Sequence, residues 1–201
     1  MMLPSGITFS GPAIDDPGLL DDLPAELRLL LQERNGFIIH HGALHVRGVC
    51  VDPQWHSLRQ TWKGKNSFQQ LYPVVLPTDI PFAQDCVGDQ FLLRNGEVWR
   101  LLAETGEAEQ VSPNLQTFFS EVEKDPEEFL NFSPKMKLEP GQLIHAYPPF
   151  CVKESGKGTS LRPCPAHEVI LFHAELAQQI SKIPDGDQLR IQIVDDREPK
   201  K

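Results

Sequence analysis

The sequence predicts an α+β domain: a mainly antiparallel sheet with a central meander, helices packed on it, and a C-terminal extension with added strands. Two observations carry this prediction. First, three short apolar runs are joined by tight turns, Gln90 to Arg94, Asn95-Gly96, Val98 to Leu102, Thr105-Gly106, then Ala108 to Val111. An Asn-Gly pair between alternating runs is a strong two-residue hairpin signal, and three such strands in succession form a meander. Second, segments with helical periodicity flank the meander on both sides, an order that places helices over a sheet rather than between parallel strands.

The first 22 residues hold Pro4, Gly6, Gly11, Pro12, Pro17 and Gly18 and are expected to form an irregular arm. From Leu23 the apolar positions Leu23, Leu27, Leu30 and Leu31 recur at helical spacing. Pro24 suits the first turn and Gly36 a left-handed stop. Phe37-Ile38-Ile39 and Leu44 to Val51 read as extended segments around His40-His41-Gly42. Asp52-Pro53 then reads as a cap opening a helix that aligns Trp55, Leu58 and Trp62 on one stripe. Core packing is the expected role of that stripe, with a stacking platform for a ligand as the sharper alternative. Val74 to Leu76, bracketed by prolines, reads as a short strand or extended link.

After the meander, Ser112-Pro113 announces a helix carrying Leu115, Phe118, Phe119 and Val122, and Asp125-Pro126 a shorter one with Phe129 and Leu130. Further on, Gln142 to Tyr147 reads as a strand, residues 155–160 as a flexible loop and Val169 to Phe172 as a buried strand. Ala174 to Ile180 reads as a short helix, and Leu189, Ile191 and Ile193 as one more strand. The chain thus divides into an arm (1–22), an α+β core (23–132) and an extension (133–201) expected to pack on the same domain.

The 201 residues carry a formal charge of −9, which disfavours direct binding to nucleic acid, whose phosphates call for clustered lysine and arginine. Nine acidic residues between Glu97 and Glu128 face only Arg100 and Lys124, so this segment holds most of the excess charge. Such a face steers a basic partner or simply keeps a protein soluble. No apolar run reaches the roughly 20 residues a membrane-spanning helix needs, and no secretory signal opens the chain, so a cytoplasmic location is expected.

No catalytic constellation is legible. The cysteines Cys50, Cys86, Cys151 and Cys164 form no C-x-x-C pair and are expected to be reduced; Cys151, Cys164 and His167 lack a fourth ligand for zinc. His41 and His45 would share a helix face, but Gly42 and the neighbouring β-branched residues favour strand or turn. Gly156 and Gly158 lack the spacing of a phosphate loop. Asp79, Asp85 and Asp89 are read as turn caps in preference to a cation cluster. No cofactor is expected.

Three blocks, Leu23 through Asn35-Gly36, Ile80-Pro81-Phe82-Ala83 through Gly88-Asp89, and Leu115 to Val122 after the hairpin, resemble elements of the SUKH superfamily in the family's order. The resemblance spans about residues 23–130. It implies a non-enzymatic α+β module that acts by binding protein. In bacterial relatives this means an immunity protein neutralising a toxin, often a nuclease or deaminase. In fungal relatives it means a scaffold in cell-wall signalling. The region from Gly141 onward is longer than a minimal family domain, and either extends the sheet or forms an oligomer contact such as a homodimer. Under the immunity reading the partner is a basic toxin domain, and the candidate contact residues are Asp85, Asp89, Glu104, Glu107 and Glu109. An adaptor for an endogenous protein is the alternative, and a small metal-dependent hydrolase built around His40, His41, His45 and Asp85 the remote one.

Overall fold

Asn95 and Gly96 both adopt left-handed backbone angles, φ 52° and 88°, the conformation a two-residue hairpin turn demands. They fix the register of β5 (Gln90–Arg94) against β6 (Glu97–Leu102), with Arg94 opposite Glu97 and Phe91 opposite Arg100. β7 (Glu107–Ser112) returns along β6 and completes the expected meander. The computed structural model describes residues 4–130 and 137–183, and in it the meander is one end of a larger sheet. β1 (Ile7–Ser10), β2 (Phe37–Ile39), β3 (Leu44–Val46) and β4 (Ile80–Asp85) add to it in chain order, so that seven strands pair sequentially and all antiparallel.

Strand alternation sorts the side chains onto two covered faces. Phe91, Leu93 and Val98 lie on one face with Leu44, Val46 and Phe82, beneath α1 (Pro17–Asp21), α2 (Ala25–Glu33) and α5 (Leu115–Lys124). Leu92 and Leu101 lie on the other, against α4 (Phe68–Leu71) and α7 (Ala166–Ile180). Helices on both sides explain why β4 is buried along its whole length, which an antiparallel sheet with one wet face would not be. Pro81, which has no N–H for the ladder, is accommodated by a shift of register between Pro81 and Ala83. Phe118 packs edge-on against Phe82, Phe91, Phe119 and the Phe129 of α6 (Pro126–Phe129), at centroid distances of 4.8–5.6 Å.

Residues 137–183 fold back over this layer. β8 (Gln142–Tyr147) and β9 (Ser160–Pro165) make a separate two-stranded sheet, joined through a 3-10 turn at Lys153–Lys157. The Ile144 amide donates to the Cys86 carbonyl at 2.8 Å, which ties this small sheet to the β4–β5 turn.

Several local expectations are corrected. Residues 7–10 of the supposed irregular arm form the edge strand β1, because Ile7, Phe9 and Ser10 find backbone partners in β2. The helix expected after Asp52-Pro53 is confined to α3 (Leu58–Lys63); Trp55 lies in the preceding turn and packs at a tilt against Phe9 and His45, away from the Trp62 side of the core. Residues 74–76 belong to a turn held by the Asp79 carboxylate, which accepts from the Leu76 amide at 2.8 Å. Val169 to Phe172 is the first half of the 15-residue α7, not a strand: an apolar run of four fits a buried helix equally well, and Val169, His173 and Leu176 face inward at helical spacing. Of the loop expected at 155–160, residues 155–157 belong to the 3-10 turn and Ser160 opens β9, leaving 158–159 irregular. The strand expected at Leu189 to Ile193 lies outside the described residues.

The cap expected at Ser112 falls two residues later, because Ser112 ends β7. Asn114 accepts from the Thr117 amide at 2.8 Å and opens α5. Asn114→Ala is expected to cost about 1 kcal/mol in urea unfolding, the usual loss for an N-cap.

Candidate functional site

Five acidic residues were expected to form one contact surface, and the structure divides them. Asp85 ends β4, and its Oδ1 accepts from the amides of Val87, Gly88 and Asp89 at 2.9–3.0 Å. Gly88 completes that turn with φ 97°. Asp89 Oδ1 accepts in turn from the Ala103 amide at 2.8 Å, so the β4–β5 turn is pinned to the β6–β7 turn. These carboxyls are structural: Asp85 is 0% exposed and Asp89 9%. As direct contact residues both are corrected, because the turn amides bonded to Asp85 and the Ala103 amide bonded to Asp89 hold these side chains inward.

Burial dominates their electrostatics. It raises Asp85 well above the ordinary carboxylate value, and the neighbouring Asp89 adds to the rise. Asp89 is pushed up to about 6 by burial, against the opposing effect of its bond from Ala103.

Glu104 is half-buried and faces the extension. Its carboxylate accepts from the amides of Phe150 and Cys151 at 3.1 and 2.7 Å, and lies 3.8 Å from His173 Nε2. Burial holds His173 down to about 4, so the pair is a contact between a carboxylate and a neutral ring at pH 7. Asp89 and Glu104 border a cavity of about 520 Å³ with Val87, Leu102, Phe150 and Cys151. Cys151 is exposed, but burial of its thiol and the Glu104 carboxylate push its pKa up to about 12, which suppresses the thiolate.

Glu107 and Glu109 remain exposed on β7, the last strand of the sheet. Glu109 stands opposite Arg100, whose guanidinium donates to the Phe129 carbonyl and lies over the rings of Phe91 and Phe129. Arg100 thereby links the β7 edge to α6, where Glu127 and Glu128 are exposed as well. The acidic surface is therefore the outer edge of the meander together with α6.

The histidines are distributed differently from the set expected of a hydrolase. His40 and His41 occupy the β2–β3 turn with φ 47° and 53°. His45, on β3, stacks on His56, with Nε2 to Nδ1 at 2.8 Å, and both rings lie against Trp55. Burial lowers His45 well below its ordinary value and His56 to about 4, so the pair is uncharged at neutral pH. Asp85 is committed to its own turn. Among the described residues, no three His, Cys, Asp or Glu side chains are grouped so as to hold a metal ion.

Sequence reading missed Arg47. The alternation Leu44, His45, Val46, Arg47 marks Arg47 as pointing away from the first core, and only the covering of the second face by α4 and α7 buries it.

Compared with protein-family models, curated proteins and solved structures, the chain shows no significant match to any. The fold and surface define its class, an α+β domain in which no described helix is long and apolar enough to cross a membrane.

Proposed function

We propose that this chain is a non-enzymatic protein-binding module that acts in the cytoplasm as an immunity protein, occluding the working surface of a basic toxin. The observation that supports this reading most is the edge strand β7, which exposes Glu107 and Glu109 and, among the described residues, has a strand neighbour on one side only. An open edge offers backbone groups to an incoming segment, and its charges select a basic one while discouraging self-pairing. The resemblance of residues 23–130 to the SUKH superfamily points the same way. Charge complementarity would act chiefly on the rate of encounter and fade with salt, leaving apolar contacts to set the lifetime.

Pull-down with the full chain from the native cell lysate, at low and moderate salt, tests the proposal. A basic toxin-like protein should be retained. The double variant Glu107→Lys/Glu109→Lys, folded by circular dichroism, should bind that protein with an association rate about tenfold lower at low salt. Capture unaffected by the charge reversal, or no retained protein at either salt, would refute the β7 assignment. Retention of an endogenous protein with no toxin gene beside this one would place the chain among adaptors instead.

A further inference from the structure

The second face of the sheet carries a row of polar side chains where apolar ones would be expected. His45 on β3, Arg47 just past its end, Gln84 on β4 and Gln90 on β5 are all buried there. Arg47, 1% exposed, donates through Nη1 to the carbonyls of Pro81 and Ala83 at 2.8 and 3.3 Å. Through Nη2 it donates to Gln84 Oε1 and Gln90 Oε1, both at 2.6 Å. Every one of these acceptors is neutral. Among the described residues no carboxylate pairs with Arg47, and its Nε is buried without a partner. A buried cation without a counter-charge is expensive, and burial does draw its pKa down to about 9.

Arg47 lines a cavity of about 520 Å³, within the size range of small-molecule sites. Gln84 and Phe68 lie beside it, the Arg47 guanidinium sitting 5.4 Å from the Phe68 ring centroid. Trp55 and Ile170 give apolar walls, and the exposed Lys65 stands at the rim. In a chain of net charge −9, the described residues lining this cavity include an arginine and a lysine and no aspartate or glutamate.

We propose that the cavity binds a small organic carboxylate, its anionic head between Arg47 and Lys65 and its apolar or aromatic body between Trp55, Phe68 and Ile170. The anion supplies the counter-charge that Arg47 lacks and an acceptor for its free Nε–H. A carboxylate fits better than a phosphate: four of the five guanidinium N–H groups are already committed, so one buried donor and one lysine match two oxygens rather than three. The site is independent of the β7 edge and does not rest on the immunity reading.

Titration of the full-length protein with 3-phenylpropionate, followed by calorimetry and by backbone amide NMR, tests the assignment. The carboxylate should bind at least about tenfold more tightly than the isosteric 3-phenylpropionamide, since a hydrogen bond to a charged partner is worth more than a neutral one. Shifts should be confined to residues 54–71, the neighbourhood of Arg47 and Gln84, and residues 166–171. Lys65→Gln, an exposed change that leaves the core intact, should weaken the carboxylate about threefold or more and the amide little. Equal affinity for acid and amide, shifts outside these segments, or no saturation by about 10 mM would overturn the proposal. Tighter binding of phenyl phosphate would overturn its carboxylate chemistry.

Discussion

Replacement of Arg47 by methionine is expected to lower the free energy of unfolding by about 3 kcal/mol. Two effects compete. Removing an uncompensated cation from the interior recovers its desolvation cost, but it strands the Pro81 and Ala83 carbonyls and the amide oxygens of Gln84 and Gln90, all buried. Four orphaned acceptors at about 1 kcal/mol or more each outweigh the gain, because the guanidinium is the donor common to β3, β4 and β5. Arg47→Lys should fall nearly as far, since a point ammonium cannot reproduce the planar fork that reaches four oxygens. The triple variant Arg47→Met/Gln84→Met/Gln90→Leu should recover part of the loss, because it removes the donor together with its two side-chain acceptors and leaves only the Pro81 and Ala83 carbonyls. Urea unfolding of the three proteins decides the matter. An Arg47→Met variant as stable as the parent would mean that the polar row does not hold these strands.

The parts of this fold that were legible in the sequence are those fixed by neighbours along the chain. Asn95-Gly96 dictates a hairpin wherever it is placed between two alternating runs, and Leu27, Leu30 and Leu31 mark a helix face without knowledge of what it covers. What was illegible depends on contacts distant in sequence. β1 has four residues between glycines and becomes a strand only because β2 offers an edge. Val169 to Phe172 is as apolar as a strand, and its place in α7 is set by a helix that continues for eight residues beyond it. The same distinction governs the sites. Charge at Asp85, Asp89, Glu104, Glu107 and Glu109 is plain in the sequence, but burial is not. Asp89 is removed from solvent by a turn 14 residues away. Arg47 reads as a solvent-facing residue until α4 and α7 cover it, so the cavity it borders has no signature in one dimension.

Asp85 should respond in opposite ways to two substitutions. Asp85→Ala removes the side-chain acceptor of three turn amides, of which Gly88 keeps a bond to the Asp85 carbonyl at 3.3 Å, and is expected to cost about 2 kcal/mol, at roughly 1 kcal/mol for each of the other two. Asp85→Asn keeps the accepting Oδ1 and removes only a charge from a place where Oδ2 is buried and, among the described residues, has no hydrogen-bond partner. Its effect should therefore depend on pH. Burial raises the folded-state pKa of Asp85 above its ordinary 3.8, so the folded protein holds this proton more tightly than the unfolded chain. Stability from this group is complete below about pH 3.8 and is lost as pH rises towards the folded value. Asp89, at about 6 in the fold, contributes with the same sign between about pH 4 and 6. His56 and His173, held down to about 4, act oppositely: the unfolded chain takes up their protons first, and stability falls as pH drops from 6.5 to 4. The parent profile mixes these contributions, so the informative quantity is the difference between Asp85→Asn and the parent at each pH. That difference should be near zero at pH 4 and should grow in favour of the variant as pH rises to 8. A difference that is flat, or that grows towards acid, would mean that Asp85 is an ordinary ionised carboxylate stabilised by its three amides.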